Sequence, residues 1–498
     1  MPGSGRNHAT LGSDPVFARR GRDWRGAVVY QIYPRSFQDS DGDGVGDLPG
    51  VTSRIDHVAD LGVDAIWLSP FYPSPFADGG YDIADFTGVD PRLGTVADVR
   101  ALADAAHARG MALLLDLVPC HTSIEHPWFR AHPDWYVWAD SPPNNWRAAF
   151  GGPAWSNDAV TGRWYLHSFF PEQPDLDWRA PDVVAAMQDV VRFWLDQGAD
   201  GFRLDAIDRV AKHADLLDDP PLTKPFPFPE PPGVAALDRR NSSHCVLGLD
   251  APLRALRAAA GDAFLVGEVY RPTDELGPYL EQLDSAFVFE LMFTPWRADA
   301  IAVVIERGAR LGRPSWMLSN HDFSRVGSRI GEGAMRVAPM LLLTLPGTAF
   351  IYQGDEIGML DGPGGDPPED RAGRDRARHP MQWTADPSAG FSSGTAWLPP
   401  VDPGARNVAD QRPDPASLLG LYRSLMKVRR TLAGGLELVE ADREGLLVYR
   451  RGDVTVALNL GARERRLDLP GEVLLATGPT ADSRRLGPGT GVVARRSG

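Results

Sequence analysis

Eight short apolar runs, separated by amphipathic stretches, constrain the fold of this 498-residue chain more than any other feature. The runs are continuous rather than alternating in hydrophobicity, which is typical of parallel strands covered on both faces. The segments between them, such as 96–110 and 183–198, have apolar residues at helical spacing and end at glycine. The predicted strands span residues 27–33, 63–69, 111–118, 201–206, 264–269, 286–293, 315–320 and 348–354. Alternation of this kind predicts an α/β fold, the (β/α)8 or TIM barrel.

Two segments depart from the alternation and predict additional domains. Residues 119–178 are rich in Trp, Pro, Asn and His and are too long for an ordinary loop, so they are expected to form an inserted subdomain after the third strand. Residues 431–498 carry short strands and turns, which predict a C-terminal antiparallel β-domain. The catalytic barrel then comprises 23–118 and 179–430, preceded by a flexible leader at 1–22. The proline-rich stretch at 218–233 predicts a loop at the rim.

Acidic residues stand at the C-terminal ends of three predicted strands: Asp205 in GFRLDAI, Glu268 in FLVGEVY and Asp322 in WMLSNHD. A fourth strand end, DLVPCHTS, contributes Asp116 and His121. The C-terminal ends of barrel strands meet at one face, so these side chains are expected to gather there. One carboxylate acting as nucleophile and a second as acid and base are what a retaining glycosidase requires.

Bulk properties exclude several classes of function. The net charge of −15 argues against a nucleic-acid partner, which would require a basic face. The chain has two cysteines, no apolar run of membrane-spanning length and no signal-like N-terminus. The sequence therefore predicts a cytoplasmic monomer or homodimer that acts on a neutral small-molecule glucoside, without a membrane or an organic cofactor.

Ten motifs occur in a characteristic order: YQIYPRSF, DGDGVGDL, GYDIADF, DLVPCHTS, QPDLDW, GFRLDAI, GEVY, SNHDFSR, FIYQGDEIGM and ARHPMQW. With these motifs, the chain from Trp24 onward resembles the α-amylase family of retaining α-glycoside hydrolases. Within the family it is most similar to the oligo-1,6-glucosidase and α-glucosidase branch.

The resemblance implies that Asp205 is the nucleophile and Glu268 the general acid and base. Asp322 is then the residue that binds the 2- and 3-hydroxyls of the sugar. Arg203, two residues before Asp205 on one strand face, is expected to keep the pKa of the nucleophile low. Glu268 follows a hydrophobic strand, which favours a raised pKa. Retention predicts about 5–5.5 Å between the two catalytic carboxyl groups.

The resemblance also implies a pocket that is closed behind one glucose unit. Asp82 and Arg378 match the pair that fixes the 4-hydroxyl of the non-reducing-end glucose, and Tyr81 matches the aromatic platform beneath that sugar. A pocket of this kind predicts exo-action. The other substrate-binding candidates are His121, Arg203, His321 and Arg325.

An acidic loop near the N-terminus predicts a cation site. In DSDGDGVGD, oxygen-bearing residues alternate with glycines, and carboxylate and carbonyl oxygens suit a hard cation. The loop resembles the structural calcium loop of the family, and Mg²⁺ is also compatible with the spacing. The implied ligands are the side chains of Asp39, Asp41, Asp43 and Asp47 and the carbonyl of Val45.

Three residues depart from the pattern of the family. Cys120 stands where a calcium-binding Asn is usual, and a thiol is a poor calcium ligand, so no metal is expected there. His379 replaces a Thr beside Arg378. Ala206, directly after the nucleophile, is a small residue of the kind that accompanies α-1,4 rather than α-1,6 preference in this branch. The loop at 211–250 matches no specificity pattern.

These features together predict an exo-acting retaining α-glucosidase for short, α-1,4-linked substrates such as maltose. A trehalose synthase-like isomerase or an α-glucosyltransferase would use the same site, because only the acceptor that attacks the glucosyl enzyme differs. A non-catalytic carbohydrate-binding relative is the third alternative, although such relatives typically lose the carboxylates retained here.

Overall fold

The computed structural model describes residues 23–223, 228, 237–479 and 481–496. The predicted leader at 1–22 lies outside the described residues, as does part of the proline-rich stretch at 218–233. The strands are β1 Val28–Ile32, β2 Ala65–Leu68, β3 Ala112–Leu117, β4 Trp138–Ala139, β5 Trp155–Asn157, β6 Trp164–Leu166, β7 Gly201–Leu204, β8 Phe264–Gly267, β9 Ser285–Phe287, β10 Pro314–Met317, β11 Thr348–Tyr352, β12 Leu436–Ala441, β13 Leu446–Arg451, β14 Val454–Asn459, β15 Arg465–Arg466, β16 Glu472–Ala476, β17 Arg485–Leu486 and β18 Thr490–Arg495.

The α-helices are α1 Leu48–Ser53, α2 Ile55–Leu61, α3 Val96–His107, α4 Pro127–Ala131, α5 Pro181–Asp196, α6 Asp250–Ala260, α7 Gly277–Leu280, α8 Glu290–Phe293, α9 Ala298–Arg310, α10 Val326–Ile330, α11 Val337–Thr344, α12 Val408–Gln411 and α13 Leu418–Arg429. None of the helices in the described ranges is long and apolar enough to cross a membrane.

Eight parallel strands close into a barrel in the order β1-β11-β10-β9-β8-β7-β3-β2. Successive residues of a strand face opposite sides of the sheet, and both sides are buried here. In β1, for example, Val29 packs with Trp67 in one buried cluster, whereas Tyr30 belongs to the larger cluster shared with the helices. Because both faces are buried, the sequences of these strands are continuous apolar runs. The closed barrel of eight parallel strands confirms the predicted fold.

The sixth barrel strand is shorter than predicted. The sequence predicts a strand over 286–293, but β9 ends at Phe287 and α8 begins at Glu290. Phe289, Leu291 and Met292 are buried in this helix and its cap, so the apolar run continues although the backbone changes conformation. A short apolar run does not distinguish a buried strand from a buried helix.

Two smaller sheets accompany the barrel. Between β3 and β7 the chain forms a three-stranded antiparallel sheet in the order β4-β6-β5, within the segment where an inserted subdomain is predicted. After α13 it forms a five-stranded sheet in the order β12-β13-β14-β18-β16. All four pairings in that sheet are antiparallel, which confirms the predicted C-terminal β-domain.

Candidate active site

A cavity of about 270 Å³ lies at the C-terminal ends of the barrel strands. All three predicted catalytic carboxylates, Asp205, Glu268 and Asp322, line it. The other described residues that line it are Asp78, Tyr81, Ala149, Phe150, Phe169, Ala206, Arg209, Phe228, Arg239, His244, Tyr270, Phe323, Ala372 and Arg374. Most of these belong to loops that follow β2, β7, β8 and β10, because a parallel barrel presents those loops at one face.

Arg203 lies at the centre of the carboxylate cluster and is 1% exposed. Its Nη1 is 2.5 Å from Asp205 Oδ1 and 2.8 Å from Asp116 Oδ1. Its Nη2 is 2.5 Å from Glu268 Oε1. One buried guanidinium therefore holds Asp205 and Glu268 side by side, as retention requires, while the separation of their carboxyl groups stays a prediction.

The electrostatics of the cluster differ from the prediction for the nucleophile. Burial raises the pKa of Asp205 well above its usual range; the charge of Arg203 opposes this shift, and the charges of Glu268 and Asp116 add to it. The expectation that Arg203 keeps this pKa low is wrong, because burial and two neighbouring carboxyl groups outweigh the one cation.

The other two carboxyl groups of the cluster shift in the same direction. Burial raises the pKa of Glu268, as expected, and raises that of Asp116 to about 7. Interacting groups titrate together, so the cluster retains a proton near neutrality.

Ala206 connects Asp205 with Glu268. Its backbone N–H donates to Glu268 Oε2 at 2.9 Å, and its φ of 43° lies in the left-handed region. For an alanine this conformation costs on the order of 1–3 kcal/mol and persists only where the surroundings impose it. The strained turn thus orients Glu268 beside Asp205.

Tyr81 lines the cavity, and the fully buried His321 packs against it from behind. The rings stack with centroids 5.4 Å apart, and His321 Nε2 lies 2.6 Å from the Tyr81 hydroxyl. Burial lowers the pKa of His321 to about 3, so the imidazole is neutral at physiological pH. Its Nδ1 lies 2.7 Å from Gln31 Nε2, and the Tyr81 hydroxyl lies 3.1 Å from Asp116 Oδ2. The network fixes Tyr81 against the cavity.

Asp322 remains ionised in this site. Burial alone would raise its pKa, but the charges of neighbouring basic groups, among them the permanent cations Arg374 and Arg378, outweigh burial and lower it. Arg374 Nη1 and Arg378 Nη2 lie 3.2 and 3.4 Å from Asp322 Oδ1. An ionised carboxylate at this position can accept hydrogen bonds from sugar hydroxyls.

The ion pair at the end of the cavity is formed by residues other than those predicted. Arg374 pairs with Asp78, and both line the cavity. Asp82, which the sequence predicted as the acidic partner, is fully buried against the turn that precedes it in the chain. Its oxygens accept hydrogen bonds from the Ser74 hydroxyl and from the N–H groups of Ala77 and Asp78, at 2.8–3.0 Å. Its carboxylate is therefore committed to a structural role.

Arg378 lies one layer behind the pair and contacts Asp322 rather than Asp82. Its Nε donates to the carbonyl of His321 at 2.8 Å, so it positions the HD dipeptide. The sequence signal for the observed pair was available, because Asp78 lies four residues before Asp82 and Arg374 four before Arg378. The predicted residue of each partner therefore lies four positions after the one that forms the observed pair.

Of the predicted sugar-binding residues, Tyr81 alone is among the described residues that line the cavity, and His121 and Arg325 lie outside the lining. His121 lies beneath the cavity wall, with Nε2 3.2 Å from the carbonyl of Tyr81 and its ring 5.1 Å from that of Phe169. Arg325 is fully buried; Nη1 donates to the carbonyl of Gln353 at 2.7 Å, and the guanidinium lies over the Tyr352 ring. Arg325 therefore supports the end of β11 and is not in contact with the cavity.

The acidic loop after β1 brings part of the predicted metal set together. Carboxylate oxygens of Asp39, Asp41 and Asp43 lie within 4.8 Å of one another. Asp47 caps α1, where Oδ1 accepts the Gly50 N–H at 2.6 Å and Oδ2 accepts the Ser40 N–H at 2.8 Å. Three converging carboxylates form a hard-oxygen donor set that fits Ca²⁺ or Mg²⁺.

Cys120 and His379 are structural in character. Burial raises the pKa of the Cys120 thiol, so it is not an activated nucleophile. Lys212 Nζ lies 3.9 Å from Cys120 Sγ and 2.9 Å from Asp175 Oδ2, so an ammonium neutralises this buried carboxylate. His379 bonds the carbonyl of Pro399 at 2.6 Å and the N–H of Gly364 at 3.1 Å, which ties two loops together.

Comparison with family models gives two matches. The model for the alpha amylase catalytic domain matches residues 31–434, and that for a domain of unknown function, DUF3459, matches residues 432–493.

Individual proteins match over most of their length. A probable alpha-glucosidase of Rhizobium meliloti (strain 1021) is 40% identical over 86% of this chain and 87% of its own length. An oligo-1,6-glucosidase of Parageobacillus thermoglucosidasius is 34% identical over 91% of this chain and 93% of its own. The crystal structure of an alpha-glucosyl transfer enzyme, XgtA, superposes with a TM-score of 0.87 at 36% identity, covering 95% of this chain and 99% of that one.

Proposed function

The chain belongs to the alpha-amylase family of glycoside hydrolases, and we propose that it is an exo-acting, retaining α-glucosidase. Its homologues include alpha-glucosidases and oligo-1,6-glucosidases, which supports glucosidase activity at the level of the family. The observation that carries the proposal is the salt bridge of Arg203 to both Asp205 and Glu268, because retention requires two carboxyl groups side by side.

In the proposed reaction, Asp205 attacks the anomeric carbon while Glu268 donates its proton to the leaving oxygen. The C–O bond to the leaving group breaks as the glucosyl ester of Asp205 forms. Glu268, now a carboxylate, then takes a proton from water as the water attacks the ester. Free glucose leaves, and Glu268 is again protonated.

The protonation state of the carboxylate cluster supports this transfer of a proton to and from Glu268. Near neutrality the three carboxyl groups around Arg203 retain a proton, and catalysis requires it on Glu268 with Asp205 ionised. Arg203 bonds both groups and therefore stabilises whichever of them is charged. Asp322, whose pKa is lowered by its cationic neighbours, provides a fixed anion for the sugar hydroxyls.

Exo-action follows from the closed end of the cavity. Asp78, Arg374 and the ring of Tyr81 surround the position of a terminal glucose, and Arg374 Nη2 is further anchored to Asp370 Oδ1 at 2.7 Å. Ionised groups of fixed geometry can bind the terminal hydroxyls in a way that a chain continuing past the site would block. We propose single glucose units as the product.

The linkage preference that we propose is α-1,4, with maltose as the simplest substrate. Ala206 lines the cavity directly after the nucleophile, and its methyl group leaves room beside the scissile bond. A difference of about one methyl group at such a position changes the discrimination between two substrates by about 1–3 kcal/mol.

Transfer is the second candidate function, favoured by the similarity to an alpha-glucosyl transfer enzyme at 36% identity. The first half of the reaction is the same. A hydroxyl of a second sugar, instead of water, would then attack the ester on Asp205.

A proton NMR time course with maltose tests the proposal. Early excess of α-glucose, which later mutarotates, is the expected result. Early β-glucose would refute retention, and a new disaccharide in place of glucose would favour transfer. Asp205→Asn is the control, and full activity in that variant would refute the assignment of the nucleophile.

A further inference from the structure

A second cavity, of about 450 Å³, lies between the junction of α1 and α2, the loop that contains Trp383, and the C-terminal end of α12. Among the described residues, none lines both this cavity and the catalytic one. Its ionisable lining residues are Arg54, Asp56, His57 and Arg412. The volume lies in the range of small-molecule sites, and the lining is predominantly basic.

Arg54 is a lining cation that forms no ion pair with a carboxylate in the described part of the chain. Its Nε donates to Gln38 Oε1 at 2.6 Å, and its Nη2 donates to the carbonyl of Gly390 at 3.3 Å. Both acceptors are neutral, and the guanidinium lies over the Trp383 ring, 4.6 Å from its centre. Burial and the positive charge of Arg412 lower the pKa of Arg54. Two guanidinium groups that repel each other across one cavity favour an anion that contacts both.

The other two charged residues of the lining have partners at the surface. Arg412 Nη1 lies 2.8 Å from Asp60 Oδ2, and Asp56 Oδ1 lies 2.6 Å from Arg109 Nε. The side chains of Asp56 and Asp60 are largely exposed, and exposed ion pairs are weak. A guanidinium has five N–H donors, so Arg412 can keep its contact with Asp60 and also bind an anion in the cavity.

His57 contributes a buried ring nitrogen, Nδ1, that has no hydrogen-bond partner among the described residues. The residue is 2% exposed, and its other nitrogen, Nε2, lies 2.8 Å from Glu356 Oε1. That carboxyl oxygen also accepts the Tyr30 hydroxyl at 2.8 Å. It therefore acts as an acceptor, and Nε2 of His57 carries a hydrogen. A buried polar atom without a partner is costly, so Nδ1 favours a ligand that forms a hydrogen bond with it.

We propose that this cavity binds a phosphate group, either inorganic phosphate or the phosphate of a small phosphorylated sugar, through Arg54, Arg412 and His57. Phosphate oxygens match the fork of a guanidinium. A protonated phosphate donates its O–H to a neutral imidazole, and any phosphate oxygen accepts the N–H of an imidazolium, so the group satisfies Nδ1 in either state. The volume of the cavity leaves room for a sugar beside the phosphate. The site is separate from the catalytic cavity, so the inference goes beyond the proposed function.

Isothermal titration calorimetry of the full-length protein tests the inference, with inorganic phosphate and glucose 6-phosphate as probes. We expect one equivalent to bind with a Kd of about 1 mM or less, and the affinity to fall as salt is added. Tighter binding of glucose 6-phosphate would identify a phosphorylated sugar as the ligand, and tighter binding of inorganic phosphate would identify the ion itself. A Kd above about 10 mM for both probes would overturn the inference.

Substitution of the lining residues locates the binding. Arg54→Gln and Arg412→Gln are each expected to raise the Kd by about tenfold or more, the usual effect of a lost charge-assisted hydrogen bond. His57→Gln keeps an amide donor for Glu356 but lacks Nδ1, and it should raise the Kd by about threefold or more. Arg430→Gln is the matched control, because this exposed arginine also donates to a backbone carbonyl, that of Gly62 at 3.0 Å, but lies outside the lining. It should leave the Kd unchanged.

The variants also separate this site from the catalytic cavity. Arg54→Gln should retain kcat/KM for maltose within about threefold and a native Tm, so that its loss of phosphate binding is local. An unchanged Kd in both Arg54→Gln and Arg412→Gln would place the phosphate elsewhere and overturn the inference, as would an equal rise of the Kd in Arg430→Gln. Binding is measured directly, so failure of the protein to hydrolyse maltose would refute the proposed function without changing this result.

Discussion

Replacement of Arg203 by glutamine is the most informative perturbation of the carboxylate cluster. The guanidinium is 1% exposed and contacts Asp116, Asp205 and Glu268 at 2.5–2.8 Å. Arg203→Gln removes the cation and leaves the three carboxyl groups together. Removal of one partner from a buried ion pair costs about 3–5 kcal/mol. At about 2.1 cal/mol/K of unfolding entropy per residue, this corresponds to a fall in Tm of about 3–5 °C.

The destabilisation should depend on pH in a defined direction. Carboxyl groups whose pKa is raised in the folded state bind more protons there than in the unfolded chain, so ionisation of these groups lowers stability as pH rises. The loss begins near the unfolded pKa of about 4 and continues through the folded pKa of Asp116, about 7. Without the guanidinium these pKa values rise further, so the Tm deficit of Arg203→Gln should be small at pH 4 and full at pH 7.5.

Thermal melts across this pH range, with kcat/KM for maltose, are the assay. Activity at pH 7.5 should fall by at least about 100-fold, because a protonated Asp205 cannot attack. Arg254→Gln, which removes an exposed arginine paired with Asp250, is the control and should leave Tm unchanged. A Tm deficit of equal size at pH 4 and pH 7.5, or no deficit at all, would refute the electrostatic account of the cluster.

Three further predictions concern the acid, the closed end of the cavity and the metal loop. Glu268→Gln should lose activity on maltose by about 100-fold or more but retain formation of the glucosyl enzyme from α-glucosyl fluoride, whose leaving group needs no protonation; equal losses on both substrates would argue against the acid role. Arg374→Gln should lower kcat/KM for maltose by about 10–150-fold through loss of charge-assisted bonds to Asp78 and Asp322, whereas Asp82→Asn should destabilise the fold more than it changes specificity. EDTA should lower the Tm of the native protein but not that of Asp41→Asn, and an identical response of both proteins would contradict the proposed cation site.

The fold was predictable because burial of both strand faces leaves a strong signal. Each of the eight predicted strand regions overlaps a barrel strand, and β1 within 27–33 and β3 within 111–118 are close to the predicted bounds. The error in the sixth region arose where Phe289 and Leu291 extend the apolar run into a helix. Burial determines which residues are apolar, and it does not determine the backbone conformation of a short segment.

The site was less predictable because a motif shows which segment of the chain contributes to the site, but not which of its side chains point into the cavity. Asp78 and Asp82 stand four residues apart in one turn, and only the three-dimensional turn shows that Asp82 caps backbone N–H groups while Asp78 faces the cavity. The pKa of Asp205 depends on its burial and on the balance between Arg203 and two other carboxyl groups. That balance requires the distances between residues that are far apart in sequence.

Trapping of the glucosyl enzyme tests the central claim, that Asp205 is the nucleophile of a retaining glucosidase. The protein would be incubated with 5-fluoro-α-glucosyl fluoride, in which the ring fluorine slows hydrolysis of the ester, and the peptides would be mapped by mass spectrometry. The account predicts a gain of one fluoroglucosyl unit on the peptide that contains Asp205, and no gain in Asp205→Asn. A label on another residue, or turnover of the reagent without any covalent adduct in the native protein, would contradict it.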